Sequence, residues 1–190
     1  MKKIVIVSII SAFAATPALA DNTGHFYMAA DLGSASYSNV TVGAGTYPNP
    51  GMIRIAGGYH FSPIFAAEVG YSRFGDSTIT AGTASGTVSA SSAQAALVGS
   101  LPLTPQFDLI GKIGVASNKH KIDATSSGVT VVSMSSSQND LLIGLGAQYS
   151  FNSQLSLRAQ YESFGKFGDF GTTGVAMKAS ALSVGVAYNF

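Results

Sequence analysis

Residues 181–190 read "ALSVGVAYNF". Leu182, Val184, Val186, Tyr188 and Phe190 share one parity, and Ser183, Gly185, Ala187 and Asn189 the other. Strict alternation describes a strand with one apolar face and one small or polar face. An aromatic in the last position of such a strand asks for an apolar environment right to its end. The same alternation recurs upstream.

Read for period two, the chain offers eight candidate strands, at 24–33, 51–61, 64–75, 90–103, 106–118, 139–151, 154–165 and 178–190. In 139–151, Leu141, Ile143, Leu145, Ala147, Tyr149 and Phe151 lie on one face, with Gly144, Gly146, Gln148 and Ser150 on the other. In 154–165, Leu155, Leu157, Ala159 and Tyr161 oppose Ser156, Arg158, Gln160 and Glu162. A transmembrane strand tilted in a bilayer needs about 9–11 residues, which these spans supply. Short connections ("HFSPIF", "LPLTPQF", "FNSQL") alternate with long ones at 34–50, 76–89, 119–138 and 166–177, which are rich in Gly, Ser, Thr and Ala. Short turns on one side and long loops on the other are the pattern of an outer-membrane barrel, with both termini on the periplasmic side.

The first twenty residues, "MKKIVIVSIISAFAATPALA", combine Lys2 and Lys3, an apolar run from Ile4 and a closing Ala-Leu-Ala. That composition predicts a cleaved signal peptide over 1–20, with Asp21 opening the mature chain. Its loss removes two of the ten basic residues and none of the nine acids, so the net charge moves from +1 to −1. A nucleic-acid partner is not expected from that balance. There is no cysteine, which excludes a disulfide scaffold and a thiolate metal site. Charged residues make up 10% of the chain, against roughly 25% in ordinary soluble domains.

The soluble alternative is a secreted β-sandwich with as many strands. A sandwich shows a polar face to water, whereas here that face is small, glycine-rich and nearly uncharged. The apolar faces instead carry aromatics near their ends, as interfacial girdles do: Phe26, Tyr59, Phe61, Phe65, Tyr71, Tyr149, Phe151, Tyr161 and Tyr188. The expected fold is an all-β, eight-stranded antiparallel transmembrane barrel over 21–190.

The stretches "DNTGHFYMAADLG", "AGGYHFSPIFAAEVGYSRFGD", "LSLRAQYESFG" and "ALSVGVAYNF" resemble, in order and spacing, the OmpA-type transmembrane domain and its small eight-stranded relatives. The resemblance implies that Tyr188 and Phe190 form the terminal signal read by the barrel-assembly machinery. It also implies that lumen charges matching Glu68, Lys112 and Arg158 form a gate-like network, with Gln148 standing where the family has an acid. Longer family members continue into a peptidoglycan-binding domain that has no counterpart here, so wall anchoring is not expected.

Parity itself places Asp31, Arg54, Glu68, Lys112, Gln148, Arg158 and Glu162 in the lumen. Isolated buried charges are costly, so three acids and three bases are expected to pair. Counted from the short turns, Glu68, Lys112 and Arg158 sit lower and Asp31, Arg54 and Glu162 about a turn higher. Two charge-balanced layers are expected, with Glu68 as the partner of Arg158. An eight-stranded interior is just wide enough for side chains to fill it. Lumen packing is the expected role and a gate the alternative.

Arg73, Lys119, Lys121, Lys166 and Lys178 map near the outer strand ends, where lipopolysaccharide phosphates attract bases. Asp76, Asp123, Asp140 and Asp169 share that rim and leave an excess of one base. His25 and His60 read as interfacial polar residues on the periplasmic side. His120 lies on the outer side near Asp76-Ser77, so a lipid A-modifying triad can be imagined. A triad is defined by geometry, however, and serines are abundant here. No metal-ligand spacing is present, and no metal, cofactor or enzyme activity is expected. The expected role is structural or surface-interacting, through outer-membrane lipid, lipopolysaccharide and host or environmental ligands, by a monomer with a largely plugged lumen. A small gated porin is the alternative.

Overall fold

The computed structural model describes residues 24–38, 50–81, 84–126, 129–169 and 176–190; the expected signal peptide lies outside them. The strands are β1 (His25–Ser38), β2 (Gly51–His60), β3 (Phe65–Ala81), β4 (Ala84–Pro102), β5 (Phe107–Ser126), β6 (Val129–Ser150), β7 (Leu155–Asp169) and β8 (Ala176–Asn189). Each pairs with its sequence neighbours, and β1 pairs antiparallel with β8, so the sheet closes into a barrel. Closure satisfies every strand edge through the membrane, where lipid offers no hydrogen bonds.

The ladders fix the stagger. From Ala35, cross-strand partners run through Ala181, Glu162, Gly144, Lys112, Val98, Ala66 and His60. The row returns to β1 at His25, ten residues from its start. A row of directly paired residues therefore spirals along the barrel rather than ringing it.

Alternation sets the two faces. Leu182, Val184 and Val186 are exposed while Ser183 and Ala187 are buried, and Leu141, Ile143 and Leu145 are exposed beside a buried Leu142. Exposed Phe26, Met28, Ile53, Ile55, Val69, Leu97, Leu101, Ile113 and Val115 continue the band around the barrel. So large a continuous apolar surface is a membrane-facing one. At its short-turn margin, Phe26 meets Tyr59 at 4.8 Å, Tyr149 meets Phe151 at 5.4 Å and Tyr188 meets Phe190 at 5.2 Å between ring centroids.

Two expected long loops are largely strand. Residues 76–81 and 84–89 extend β3 and β4, and 119–126 and 129–138 extend β5 and β6, so β6 reaches 22 residues. Their Gly-, Ser- and Thr-rich sequence lacks the apolar face used to recognise a strand. Above the lipid a strand needs none, because cross-strand hydrogen bonds and neighbouring threonines suffice. Ser117, Lys119, Lys121, Ser135, Ser137 and Asn139 point outward there and are exposed. Of the four expected loops, residues 39–49, 82–83, 127–128 and 170–175 fall outside the described residues.

The three short turns share one device. Ser62 Oγ accepts from the N–H groups of Ile64 and Phe65 at 3.2 and 3.0 Å. Thr104 Oγ1 accepts from Gln106 and Phe107 at 3.3 and 3.0 Å. Asn152 Oδ1 accepts from Gln154 and Leu155 at 2.9 and 2.7 Å. Side-chain oxygens of this kind mimic a backbone turn and fix hairpin register.

Candidate functional site: a charge network across the lumen

Asp31 on β1, Arg54 on β2, Glu68 on β3, Lys112 on β5 and Arg158 and Glu162 on β7 all lie on inward parities and are buried. Glycines make room for them. A Cβ at Gly185 would overlap Asp31, and one at Gly58 would overlap the Tyr27 ring.

The six charges form one network. Arg158 donates Nε to Asp31 Oδ1 at 2.8 Å and Nη2 to Oδ2 at 2.7 Å, and gives Nη1 to Glu68 Oε2 at 3.0 Å. Arg54 donates Nε to Asp31 Oδ2 at 2.9 Å and Nη1 to Glu162 Oε1, with Nη2 3.5 Å from Glu68 Oε1. Lys112 Nζ donates to Glu68 Oε1 at 2.7 Å and to Glu162 Oε1 at 3.2 Å. Two neutral residues join it: the Tyr27 hydroxyl donates to Glu68 Oε2 at 2.7 Å, and Gln160 Nε2 to Asp31 Oδ1 at 3.4 Å.

This corrects one expectation: the charges do not separate into two balanced layers. Arg158 pairs with Glu68 through Nη1 and, in addition, bidentately with Asp31. The lower trio (Glu68, Lys112, Arg158) sums to +1 and the upper trio (Asp31, Arg54, Glu162) to −1, so neither is satisfied alone. Long guanidinium and ammonium arms span the stagger between them, and planar Arg suits a fork-on-carboxylate pair.

Apolar layers lie on both sides of the network. Toward the outer end, Ala35, Met52, Phe74, Ala116, Leu142, Phe164, Ala179 and Ala181 form a buried cluster. Phe74 and Phe164 meet there edge to face, with centroids 5.5 Å apart. Above Ser163, the β7 register shifts beside the positive φ of Gly165 (70°), and Asn118 of β5 donates Nδ2 to the Phe164 carbonyl at 2.8 Å. Toward the short turns, Tyr27, Ala29, Ala56, Ala66, Val98 and Ala187 form a second cluster. The charge network thus lies between two buried apolar clusters.

The other sequence candidates fall elsewhere. Gln148 is half-buried and cross-strand from Arg158, outside the network. Arg73, Lys119, Lys121 and Lys178 are exposed toward the outer end, and Arg73 Nη2 lies 3.8 Å from Asp76 Oδ2. The Lys166 side chain lies outside the described residues. His120 does not project from an outer loop: it is buried on the inward face of β5. Asp76 on β3 is exposed, with β4 between them, so the imagined triad is not assembled around these two residues. Tyr188 and Phe190 sit beside the closing seam, where Phe190 N donates to the Phe26 carbonyl at 2.9 Å.

Sequence reasoning missed Tyr27. It shares the parity of Asp31, and that signal was available, but an aromatic next to Phe26 reads first as girdle.

A family model for the outer membrane protein β-barrel domain matches residues 5–190. Outer membrane protein A of Klebsiella pneumoniae is 26% identical over 180 residues, covering 90% of this chain and 52% of that protein. Its counterpart in Klebsiella aerogenes is 26% identical over 140 residues, covering 70% and 37%. The chain thus spans about half the length, or less, of the curated relatives it matches. Among solved structures, Ail, the attachment invasion locus protein of Yersinia pestis, aligns with a TM-score of 0.61 at 18% identity, covering 88% of this chain and 99% of that one. Neisserial surface protein A aligns with a TM-score of 0.60 at 21% identity, covering 87% and 97%. OprG of Pseudomonas aeruginosa gives 0.60 at 12%, covering 90% and 98%. These likenesses are of fold.

Proposed function

Because the chain belongs to the outer membrane protein β-barrel family, and so resides in the outer membrane as a multi-pass barrel, we propose that it works as a closed, non-catalytic barrel presenting an outer surface. The observation that carries this is the six-charge network lying between two buried apolar clusters. Breaking such a buried set leaves uncompensated charge, so the closed arrangement is strongly held. What faces the exterior is the raised part of the barrel, whose described outward residues on β5 and β6 (Ser117, Lys119, Lys121, Ser135, Ser137 and Asn139) are polar. Liposomes carrying the refolded chain should not swell in an isotonic pentose; swelling at a porin-like rate would overturn a closed lumen.

The proposed partners follow from position. Lys119, Lys121, Lys178 and Arg73 stand where an anionic lipopolysaccharide surface attracts bases. Ail has a solved complex with the heparin analogue sucrose octasulfate, so sulfated polyanions are the second probe for this rim. Replacing the three lysines by alanine should weaken retention on lipopolysaccharide vesicles; unchanged retention removes the rim from the proposal. Tyr188 and Phe190 are proposed to meet the barrel-assembly machinery during insertion.

A further inference from the structure

His25 and His60 are separated by 34 residues in sequence yet face each other directly across the β1–β2 ladder. Both sit on inward parities at the short-turn mouth, His25 exposed and His60 half-buried. We propose that this pair is a bis-imidazole site for a divalent transition metal ion such as Zn²⁺, Ni²⁺ or Cu²⁺, open to the periplasm.

Directly opposed residues of an antiparallel pair hold their Cβ atoms about 4.5–5.5 Å apart. From there two imidazoles can reach one ion at zinc–nitrogen distances of about 2.0–2.1 Å. The surroundings hold both rings. His25 Nδ1 donates to the main-chain oxygen of Phe190 at 2.9 Å, which places a proton on Nδ1 and leaves Nε2 as the nitrogen that would meet a ligand. A ring N–H held by a carbonyl is the usual outer-shell partner of a metal-binding imidazole. His60 packs on the Tyr27 ring at 5.0 Å, and that ring is anchored through its hydroxyl to Glu68 at 2.7 Å. The backbone is fixed too: Gly24, at φ 83°, turns its N–H onto the His60 carbonyl at 2.7 Å.

Among the described residues, no group of three or more His, Cys, Asp or Glu side chains converges on a metal position. The site therefore has two protein ligands, with solvent in the remaining positions. Imidazole suits these metals, whereas Mg²⁺ and Ca²⁺ require oxygen ligands. A bound ion would tie β1 to β2 beside the seam where Phe190 N meets the Phe26 carbonyl.

The test is calorimetric titration of ZnCl₂ and NiCl₂ into the untagged chain refolded in detergent, with MgCl₂ as control. One saturable ion per chain is expected for wild type and for His120→Gln. His25→Gln and His60→Gln should each weaken binding by at least about tenfold, since losing even an outer-shell partner costs that much. Wild-type affinity retained in the double variant would overturn the site, as would no saturable binding in wild type. A heat-modifiability gel checks that each variant is folded. Should one fail to fold, Cu²⁺ electron paramagnetic resonance on wild type decides, with two coupled nitrogens supporting the pair and one or none overturning it.

Discussion

Arg158 holds Asp31 with two parallel bonds, Nε to Oδ1 at 2.8 Å and Nη2 to Oδ2 at 2.7 Å, across the β7–β8–β1 seam of the barrel. The same carboxylate also accepts from Arg54 at 2.9 Å. Asp31 is thus hydrogen-bonded by both guanidiniums, which also both lie within ion-pair distance of Glu68. Asp31→Asn keeps the shape and removes the charge, so it should destabilise the barrel by about 3–5 kcal/mol, as loss of one partner of a buried pair does. Urea unfolding in lipid vesicles measures this. Adding Arg158→Met should return part of the loss by restoring charge balance; strict additivity of the two would show that the pair is not coupled.

Tyr27 reaches Glu68 only because position 58 is glycine. Gly58→Ala places a methyl in the Tyr27 ring, and overpacking of this kind costs about 1–3 kcal/mol. Gly111→Ala, whose Cβ meets nothing nearer than Leu145 Cδ2 at 4.0 Å, should be near neutral. Equal effects in the same unfolding assay would contradict the packing described.

The Phe74–Phe164 contact makes its own statement. Phe164→Ala empties a fully buried site and should cost about 3–5 kcal/mol. A double-mutant cycle with Phe74→Ala should give a coupling of about 0.5–1.5 kcal/mol beyond buried area. A coupling of zero would mean that the edge-to-face geometry contributes nothing.

Charges introduced on the outward face report where lipid ends. Leu145 is 70% exposed within the apolar band, so Leu145→Arg should cost about 2–4 kcal/mol if it lies near the midplane. Ser137→Arg, on the raised part of the same strand beside Lys119, should cost about 0–1 kcal/mol. Similar costs would place the band wrongly.

The fold was legible because lipid forces alternation: Leu182–Phe190 and Leu141–Tyr149 must put apolar side chains outward at every second position. The same physics hid the upper strands. Ser135, Ser137 and Asn139 face water, where nothing selects apolar residues, and their run of serines reads as loop. Parity alone put the six lumen charges inside, but not their pairing. Pairing depends on how a ten-residue stagger brings Asp31 beside Arg158, and no local pattern carries that register. The His25–His60 juxtaposition is likewise set by the β1–β2 ladder, so neither histidine's own surroundings in sequence disclose it.

The central claim is that the lumen is closed by the network, and single-channel recording of the refolded chain in a planar bilayer tests it most directly. With insertion confirmed by protease protection, wild type should be silent, and Arg158→Ala should produce openings by removing the side chain that bridges Asp31 and Glu68. Discrete openings in wild type, unchanged by Arg158→Ala, would contradict the account.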